Sequence, residues 1–216
     1  MDISNIKLTI EEIKNIFEEK NFTCKNFFDK IKYIDFDNEN IYNDSSWWIY
    51  FFIDSKSQRV LKIGKDTSQT KQRFIHHHYL IDGAQSTLAK DLYNQYVRER
   101  EKSILCSSMN EEEIEELKNL SKIISEKYND NGTIPILSHD VKKIIQDPEI
   151  EKSFNNVKDI IKKWMKTADN TEKYVISFPT NEKIFVLNFI EAYFQMKYEP
   201  VFEGYKKQNN YLFFSK

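Results

Sequence analysis

Apolar residues follow helical spacing in some parts of this 216-residue chain and strand-like spacing in others. At 9–20 the sequence TIEEIKNIFEEK keeps its apolar residues on one helix face, and Thr9 and Glu12 stand in capping-box spacing, which predicts a helix. The run WWIYFFI at 47–53 is aromatic and β-branched, and after a polar linker RVLKIG at 59–64 has the same character. These two runs predict a β-hairpin.

Helical spacing fills most of the chain after the hairpin. The predicted elements are helices over about 69–79, 86–102 and 111–128, two more helical segments ending near Trp164, a strand over 174–178 and a helix over 182–198. This order is typical of an α+β fold in which helices flank a small mixed or antiparallel sheet.

Changes in composition predict three parts. Residues 1–44 hold ten acidic and six basic residues and are expected to form a helical N-terminal extension. Residues 45–102 and 171–216 contain the strands and are expected to form the core, with 103–170 as a helical insertion. Acidic residues largely offset the lysines of the insertion, so a DNA-contacting face and a subdomain for packing or dimerisation are both open.

The composition also excludes several protein classes. Hydrophobic residues make up 40% of the chain, which is too many for general disorder. Cys24 and Cys106 stand far apart with no paired spacing, which indicates neither a disulfide framework nor a zinc site. No apolar run approaches the ~20 residues of a membrane helix, and no signal-peptide pattern is apparent, so we expect a cytoplasmic protein that does not enter a membrane.

Net charge alone argues against a nucleic-acid-binding protein, but the distribution of charge does not. The formal net charge is −2, which is not that of a basic module. Residues 1–44 contribute −4, so the rest of the chain carries +2. Between Arg59 and Arg73 five residues are basic and one is acidic, and histidines occupy 76–78. Such a patch suits phosphate contacts, and a solvated helix start is the alternative interpretation.

The hairpin also predicts a pairing between two reactive side chains. If it is symmetric about Lys56, Tyr50 lies directly opposite Lys62. A neighbouring ammonium favours the phenolate, which makes Tyr50 a candidate general base. Arg73 and His77 are four residues apart on the predicted next helix and would share a face. Arg73 could there bind a phosphate, and His77 could bind a phosphate or transfer a proton.

In this order, the residues resemble the motifs of the GIY-YIG nuclease superfamily. The tripeptides WIY at 48–50 and KIG at 62–64 stand where the superfamily has GIY and YIG, and Arg73 follows them. The sequences STLAKDL at 86–92 and FIEAYF at 189–194 resemble its second-helix and late-helix segments. The resemblance therefore implies a GIY-YIG-like core within the α+β fold.

The resemblance covers roughly 47–100 and 174–203 and departs from the family pattern at three positions. Trp48 replaces the first glycine, Lys62 replaces the second tyrosine, and Glu203 stands where an asparagine is common. A lysine in place of the second tyrosine occurs in some branches of the superfamily. The replacement at Lys62 therefore does not by itself imply an inactive protein.

What the resemblance implies is a metal-dependent endonuclease that hydrolyses DNA phosphodiester bonds. By this likeness Glu191 holds one Mg²⁺ or Mn²⁺, Tyr50 activates the attacking water and Arg73 stabilises the phosphate charge. The catalytic residues it implies are Tyr50, Lys62, Arg73, His77 and Glu191. The expected DNA contacts are the basic residues Lys65, Lys71 and His76. We expect the principal catalytic side chains to converge on one concave surface.

The resemblance also implies a biological role and a partner, and two alternative functions remain open. The superfamily includes homing endonucleases, type II restriction enzymes and a repair incision nuclease, so a restriction- or phage-related role follows as an expectation. DNA is the expected partner, and a homodimer is left open. A catalytically inactive nucleic-acid-binding protein on the same scaffold is one alternative. A helical protein-interaction domain is another, because the N-terminal segment is acidic.

Overall fold

The computed structural model describes residues 1–22, 25–35, 46–83, 87–128, 131–135, 138–180 and 184–202. Cys24 and Glu203 lie outside these ranges. The chain divides into two compact units, of which the first comprises Met1–Phe74 with Glu172–Lys216 and the second comprises Ile75–Thr171. The second unit therefore begins well before the insertion that composition predicts at 103–170.

The elements follow one another in an order close to the predicted one. They are α1 (Ile3–Glu19), α2 (Lys25–Phe28), β1 (Lys32–Asp35), β2 (Trp47–Asp54), β3 (Val60–Asp66), α3 (Gln72–Ile75), α4 (Leu88–Glu99), α5 (Glu111–Tyr128), α6 (Ser138–Ile145), α7 (Pro148–Lys166), β4 (Thr171–Phe178) and α8 (Ile184–Tyr198). The fold is α+β, as the hydrophobic pattern predicts.

The strands of the first unit form a four-stranded sheet in the order β1-β4-β2-β3. Strands β2 and β3 are the predicted hairpin, and β1 pairs with β4, both antiparallel. Strand β1 was not predicted, because its four residues carry too short an apolar pattern to stand out from a loop. Among the strands that the structure describes, β3 lies at one edge, so residues from both of its faces reach the rim of the sheet.

One face of the sheet is covered by α1 and α8. The buried side chains that form this core include Ile6, Ile10 and Ile13 of α1, Ile49, Phe51 and Ile63 of the hairpin, and Val186, Leu187, Ile190 and Phe194 of α8. Burying each large aliphatic or aromatic side chain is worth about 1.5–3 kcal/mol. Helix α1 is thus part of the core of the first unit rather than an extension from it.

Helix α1 also starts earlier than its sequence pattern predicts. Asp2 caps it, accepting the backbone N–H of Asn5 at 2.9 Å, while the Asn5 side chain accepts the N–H of Asp2 at 3.1 Å. Thr9, the predicted cap, is buried inside the helix and shares a 2.6 Å hydrogen bond with the Tyr198 hydroxyl. The capping-box prediction at Thr9 is therefore wrong, because the helix begins at Ile3, where the Asp2–Asn5 pair caps its first turn.

The opposite face of the hairpin carries a cluster of aromatic rings. Phe74 of α3 is fully buried there and lies against three rings of β2. Its ring centroid is 6.1 Å from Trp48, 5.1 Å from Tyr50 and 5.3 Å from Phe52. The short helix α3 is therefore held against the sheet through Phe74.

The second unit is helical. Helix α5 spans the predicted residues, whereas the predicted helix over 86–102 is α4 followed by a 3₁₀ turn at Arg100–Lys102. Asn94 of α4 makes two hydrogen bonds to the backbone of Ile134, at 2.9 and 2.8 Å, which fixes the connection after α5. None of the helices in the described ranges is long and apolar enough to cross a lipid bilayer.

Candidate functional site

The register of the hairpin differs from the symmetric prediction. Tyr50 lies opposite Gly64, and Lys62 lies opposite Phe52. The prediction that Tyr50 faces Lys62 is wrong because the turn is asymmetric, with the Asp54 N–H bonded to the Arg59 carbonyl, and because the ladder shifts after Phe52. The total slip is two residues, so Tyr50 and Lys62 stay on the same face as diagonal neighbours.

Tyr50 is fully buried and packs across the backbone of Gly64. A β-carbon at Gly64 would lie 2.3 Å from the phenol oxygen and 2.5 Å from Cζ of Tyr50. Any side chain at this position would therefore collide with the ring. The tyrosine of WIY and the glycine of KIG form one contact across the two strands.

Lys62 is also buried, on the same face of β3. Its ammonium donates to the backbone carbonyl of Phe202 at 3.4 Å. The backbone N–H of Phe202 in turn donates to the carbonyl of Leu61 at 3.0 Å, so the segment after α8 lies along the edge of β3. Lys62 is thus held by the backbone that follows α8, near the end of the segment 174–203 that resembles the family.

Asp66 at the end of β3 fixes the position of α3, a role that was not predicted. One carboxylate oxygen accepts the backbone N–H groups of Arg73 at 3.0 Å and Phe74 at 3.3 Å, and the other accepts the N–H of Ser68 at 2.9 Å. Asp66 therefore acts as a cap on the first turn of the helix. An aspartate two residues before a serine in a polar loop was the available sequence signal.

Lys71 does not present its charge to solvent. Its side chain is fully buried, and its backbone lies in the left-handed region with φ 50°. The ammonium donates to the carbonyls of Ser46 and Ser68 and lies 5.2 Å from the ring centroid of Trp48. The predicted DNA contact at Lys71 is therefore a structural cation in this conformation, because its ammonium is bonded to backbone carbonyls before β2 and after β3.

Arg73 and His77 do not share an unbroken helix. Helix α3 ends at Ile75, and His77 begins a separate 3₁₀ turn, so the predicted four-residue spacing does not apply. The Arg73 side chain is exposed and makes no ion pair with any residue that the structure describes. His76 and His77 are exposed and belong to the second unit.

Glu191 of α8 forms an ion pair with Lys65 of β3. The Lys65 ammonium donates to one Glu191 carboxylate oxygen at 2.5 Å. The two side chains keep 33% and 16% of their surface exposed, respectively, so the pair lies at the rim of the unit. Gln195, one turn further along α8, donates to the Ile63 carbonyl at 3.4 Å and keeps the helix beside the strand.

These contacts divide the predicted site between two faces of the sheet. Lys65 lies opposite Ile49, whose side chain belongs to the core under α8, whereas the neighbouring residue Tyr50 points to the other face. The expected convergence of Tyr50, Lys62, Arg73 and Glu191 on one surface therefore does not include Glu191. The reason is that α8 packs against the face of β3 opposite to α3.

The side chains near Glu191 determine whether a divalent metal ion could bind there. Magnesium is commonly held by one or two carboxylates with waters and substrate phosphate completing its shell. Within the described ranges, no three His, Cys, Asp or Glu side chains form a cluster that would hold a metal ion. A single, largely buried carboxylate at the rim would fit a magnesium ion of this kind if the Lys65 ammonium were displaced.

Strand pairing therefore brings WIY and KIG together, and an ion pair joins KIGK to the late-helix glutamate. Arg73 is tied to the end of the same strand through Asp66. Comparison with known proteins adds nothing to this picture. No family model, curated protein or solved structure matches the chain.

Proposed function

We propose that the chain is a metal-dependent endonuclease that hydrolyses DNA phosphodiester bonds. The observation that carries this proposal is the packing of Tyr50 across Gly64, which joins two tripeptides that are twelve or more residues apart. Helix α3 packs on the same face through Phe74 and displays Arg73 at its surface. A hairpin, a following arginine and a late glutamate are the parts that a GIY-YIG-type core would need.

In this proposal Arg73 binds the scissile phosphate. Its guanidinium is always charged, and its planar fork matches two phosphate oxygens. The exposed side chain has no carboxylate partner in the described part of the chain, so binding a phosphate breaks no ion pair there. The Asp66 carboxylate holds the Arg73 backbone and so limits the freedom lost when DNA binds.

Tyr50, which lies on the same face as Lys62, would take a proton from the attacking water. Tyr50 is buried in the present conformation. Access for water therefore requires the side chains packed around Tyr50 to separate when DNA binds. Because β3 lies at one edge of the sheet formed by the described strands, DNA crossing its rim would reach side chains of both faces.

Glu191 would hold a Mg²⁺ or Mn²⁺ ion, which when bound supplies stabilisation of the negative charge that develops on the phosphoryl and leaving oxygens. The Lys65 ammonium then becomes available to a neighbouring phosphate. In this proposal Lys65 and Glu191 supply charge at the rim of β3, and Arg73 supplies charge from the face that carries α3.

Nicking of supercoiled plasmid DNA with Mg²⁺ or Mn²⁺ tests the proposal. We expect the wild-type chain to nick the plasmid and Glu191→Ala, Tyr50→Phe and Arg73→Ala to lose most of that activity. Glu112→Ala on α5, an exposed residue of the second unit, is the matched control and should retain activity. Equal nicking by the wild type and all three site variants would overturn the assignment.

A catalytically inactive nucleic-acid-binding protein on the same scaffold is the second candidate function. It is favoured by the burial of Tyr50 and by the Lys65–Glu191 ion pair, which leaves that carboxylate already neutralised. Salt-sensitive DNA binding without nicking would support this function. Absence of both binding and nicking would instead support a protein-interaction domain.

A further inference from the structure

The Lys65–Glu191 ion pair joins the strand of the KIG tripeptide to the late helix. Its nitrogen-to-oxygen distance is 2.5 Å, and both partners lie in the first unit. Glu191 follows the fully buried Ile190, which anchors the helix beneath it. The backbone that carries the Glu191 carboxylate is therefore held in place. The Lys65 side chain is long and flexible, and one third of it remains exposed.

An ammonium at this distance and a divalent cation compete for the same carboxylate. The two positive charges would repel each other strongly if both stayed in contact with it, since the rim of the sheet screens charge less than bulk water does. The pair thus sets an electrostatic cost on binding a metal at Glu191. This cost disappears when the ammonium moves to an anion, and a DNA phosphate is such an anion.

We propose that Lys65 is an internal counter-ion that weakens metal binding at Glu191 until DNA draws the lysine away. This inference rests on the proposed function, because it takes Glu191 as the metal ligand. It adds that Lys65 is a gating residue rather than a simple DNA contact. The free protein would then bind divalent metal weakly and the DNA complex would bind it tightly.

Another ion pair on the same helix provides a matched control. Lys197 of α8 donates to a Glu12 carboxylate oxygen at 2.5 Å, and its side chain is exposed to a similar degree, 34%. It links α8 to α1 and carries no predicted part of the site. A substitution at Lys197 therefore removes an equivalent charge and ion pair without affecting Glu191.

Titration of the 216-residue chain with Mn²⁺ at neutral pH, followed by the electron paramagnetic resonance signal of free Mn²⁺, tests the inference without DNA or activity. We expect Lys65→Met to bind Mn²⁺ about tenfold more tightly than the wild type, because the competing cation is gone. Lys65→Arg should bind as weakly as the wild type, and Lys197→Met should leave the affinity unchanged. Lys65→Gln serves as the second variant if Lys65→Met does not fold.

The variant Glu191→Gln separates failure of this inference from failure of the proposed function. The gating role stands if two results are found. Lys65→Met must bind Mn²⁺ more tightly than the wild type, and adding Glu191→Gln to Lys65→Met must abolish that binding. Unchanged affinity in Lys65→Met, with loss in Glu191→Gln, would overturn gating while leaving Glu191 as the ligand. Unchanged binding in Glu191→Gln and in Lys65→Met/Glu191→Gln would overturn the metal assignment itself, and the gating role with it.

Discussion

The phenol ring of Tyr50 lies against the backbone of Gly64, so closely that a β-carbon on Gly64 would be 2.3 Å from the phenol oxygen. Neither side can yield easily, because Tyr50 is fully buried and lies 5.1 Å, centroid to centroid, from the ring of Phe74. The glycine of KIG is therefore required by packing, independently of any catalytic role. The tyrosine, in turn, is positioned by the absence of a side chain opposite it.

Gly64→Ala should destabilise the protein by about 1–3 kcal/mol, the usual cost of forcing an extra methyl group into a packed interior. Urea denaturation followed by circular dichroism measures this loss. In a Tyr50→Ala background the same substitution should cost much less, because the ring that it meets is gone. Equal costs in the two backgrounds would mean that the Tyr50 ring does not limit the space at Gly64.

Asp66→Ala should destabilise the protein by about 2–3 kcal/mol. The substitution leaves the buried backbone N–H of Phe74 without its charged acceptor and removes the anchor of the Arg73 N–H. Asp66→Asn, which keeps an acceptor oxygen without the charge, should lose less. Asp169→Ala is a suitable control, because Asp169 is exposed and accepts no hydrogen bond among the described residues. Thermal and urea melts of the three variants measure the differences.

The same aspartate should influence DNA affinity only through Arg73. At a temperature where all variants are folded, we expect Asp66→Ala to weaken DNA binding in the wild-type background. In an Arg73→Ala background it should have no further effect, because the side chain that it positions has been removed. Additive losses would show that Asp66 acts on DNA binding by another route. Fluorescence anisotropy with a labelled duplex provides the measurement.

The hydrophobic pattern was sufficient to predict the hairpin and α5, because long aromatic or amphipathic runs determine both the element and its buried face. The pairing of Tyr50 was not predictable, because register depends on an asymmetric turn at Asp54 and on a ladder shift after Phe52. A slip of two residues keeps every side chain on the same face of the sheet. The alternation of polar and apolar residues therefore does not reveal it.

Charge spacing alone also failed to separate a partly exposed lysine from a fully buried one. Lys65 and Lys71 look equivalent in sequence, yet Lys65 forms an ion pair at the rim and Lys71 is fully buried under Trp48. Lys71 has a left-handed backbone, and its ammonium donates to the carbonyl of Ser68. Backbone conformation of this kind is decided by tertiary contacts rather than by local composition.

Lys90 of the second unit should give the protein an alkaline rise in stability. Its side chain is fully buried and donates to the Gly83 carbonyl at 2.7 Å. Burial lowers the pKa of Lys90 below its ordinary value of 10.5, although Asp91 and Asp82 partly oppose the effect.

The sign follows from proton binding. Between the lowered folded pKa of Lys90 and 10.5 the unfolded chain binds more protons, so stability rises with pH in that window. Below the folded pKa both states are protonated and the cost of burying the charge is fully present. Urea denaturation of the wild type and Lys90→Met from neutral pH toward 10.5 should therefore show the wild type gaining stability relative to the variant. Parallel curves would contradict this prediction.

Arg73 and Lys71 should differ in how their removal changes the salt dependence of DNA binding. Each phosphate contact that is lost lowers the slope of log K against log salt by about 0.9 in magnitude. Arg73→Gln should show this decrease, because its guanidinium is exposed. Lys71→Met should lower the melting temperature, because the Ser46 and Ser68 carbonyls lose their donor, while leaving the salt slope unchanged. A decrease in slope for Lys71→Met, measured well below its melting temperature, would mean that Lys71 leaves its buried position when DNA binds.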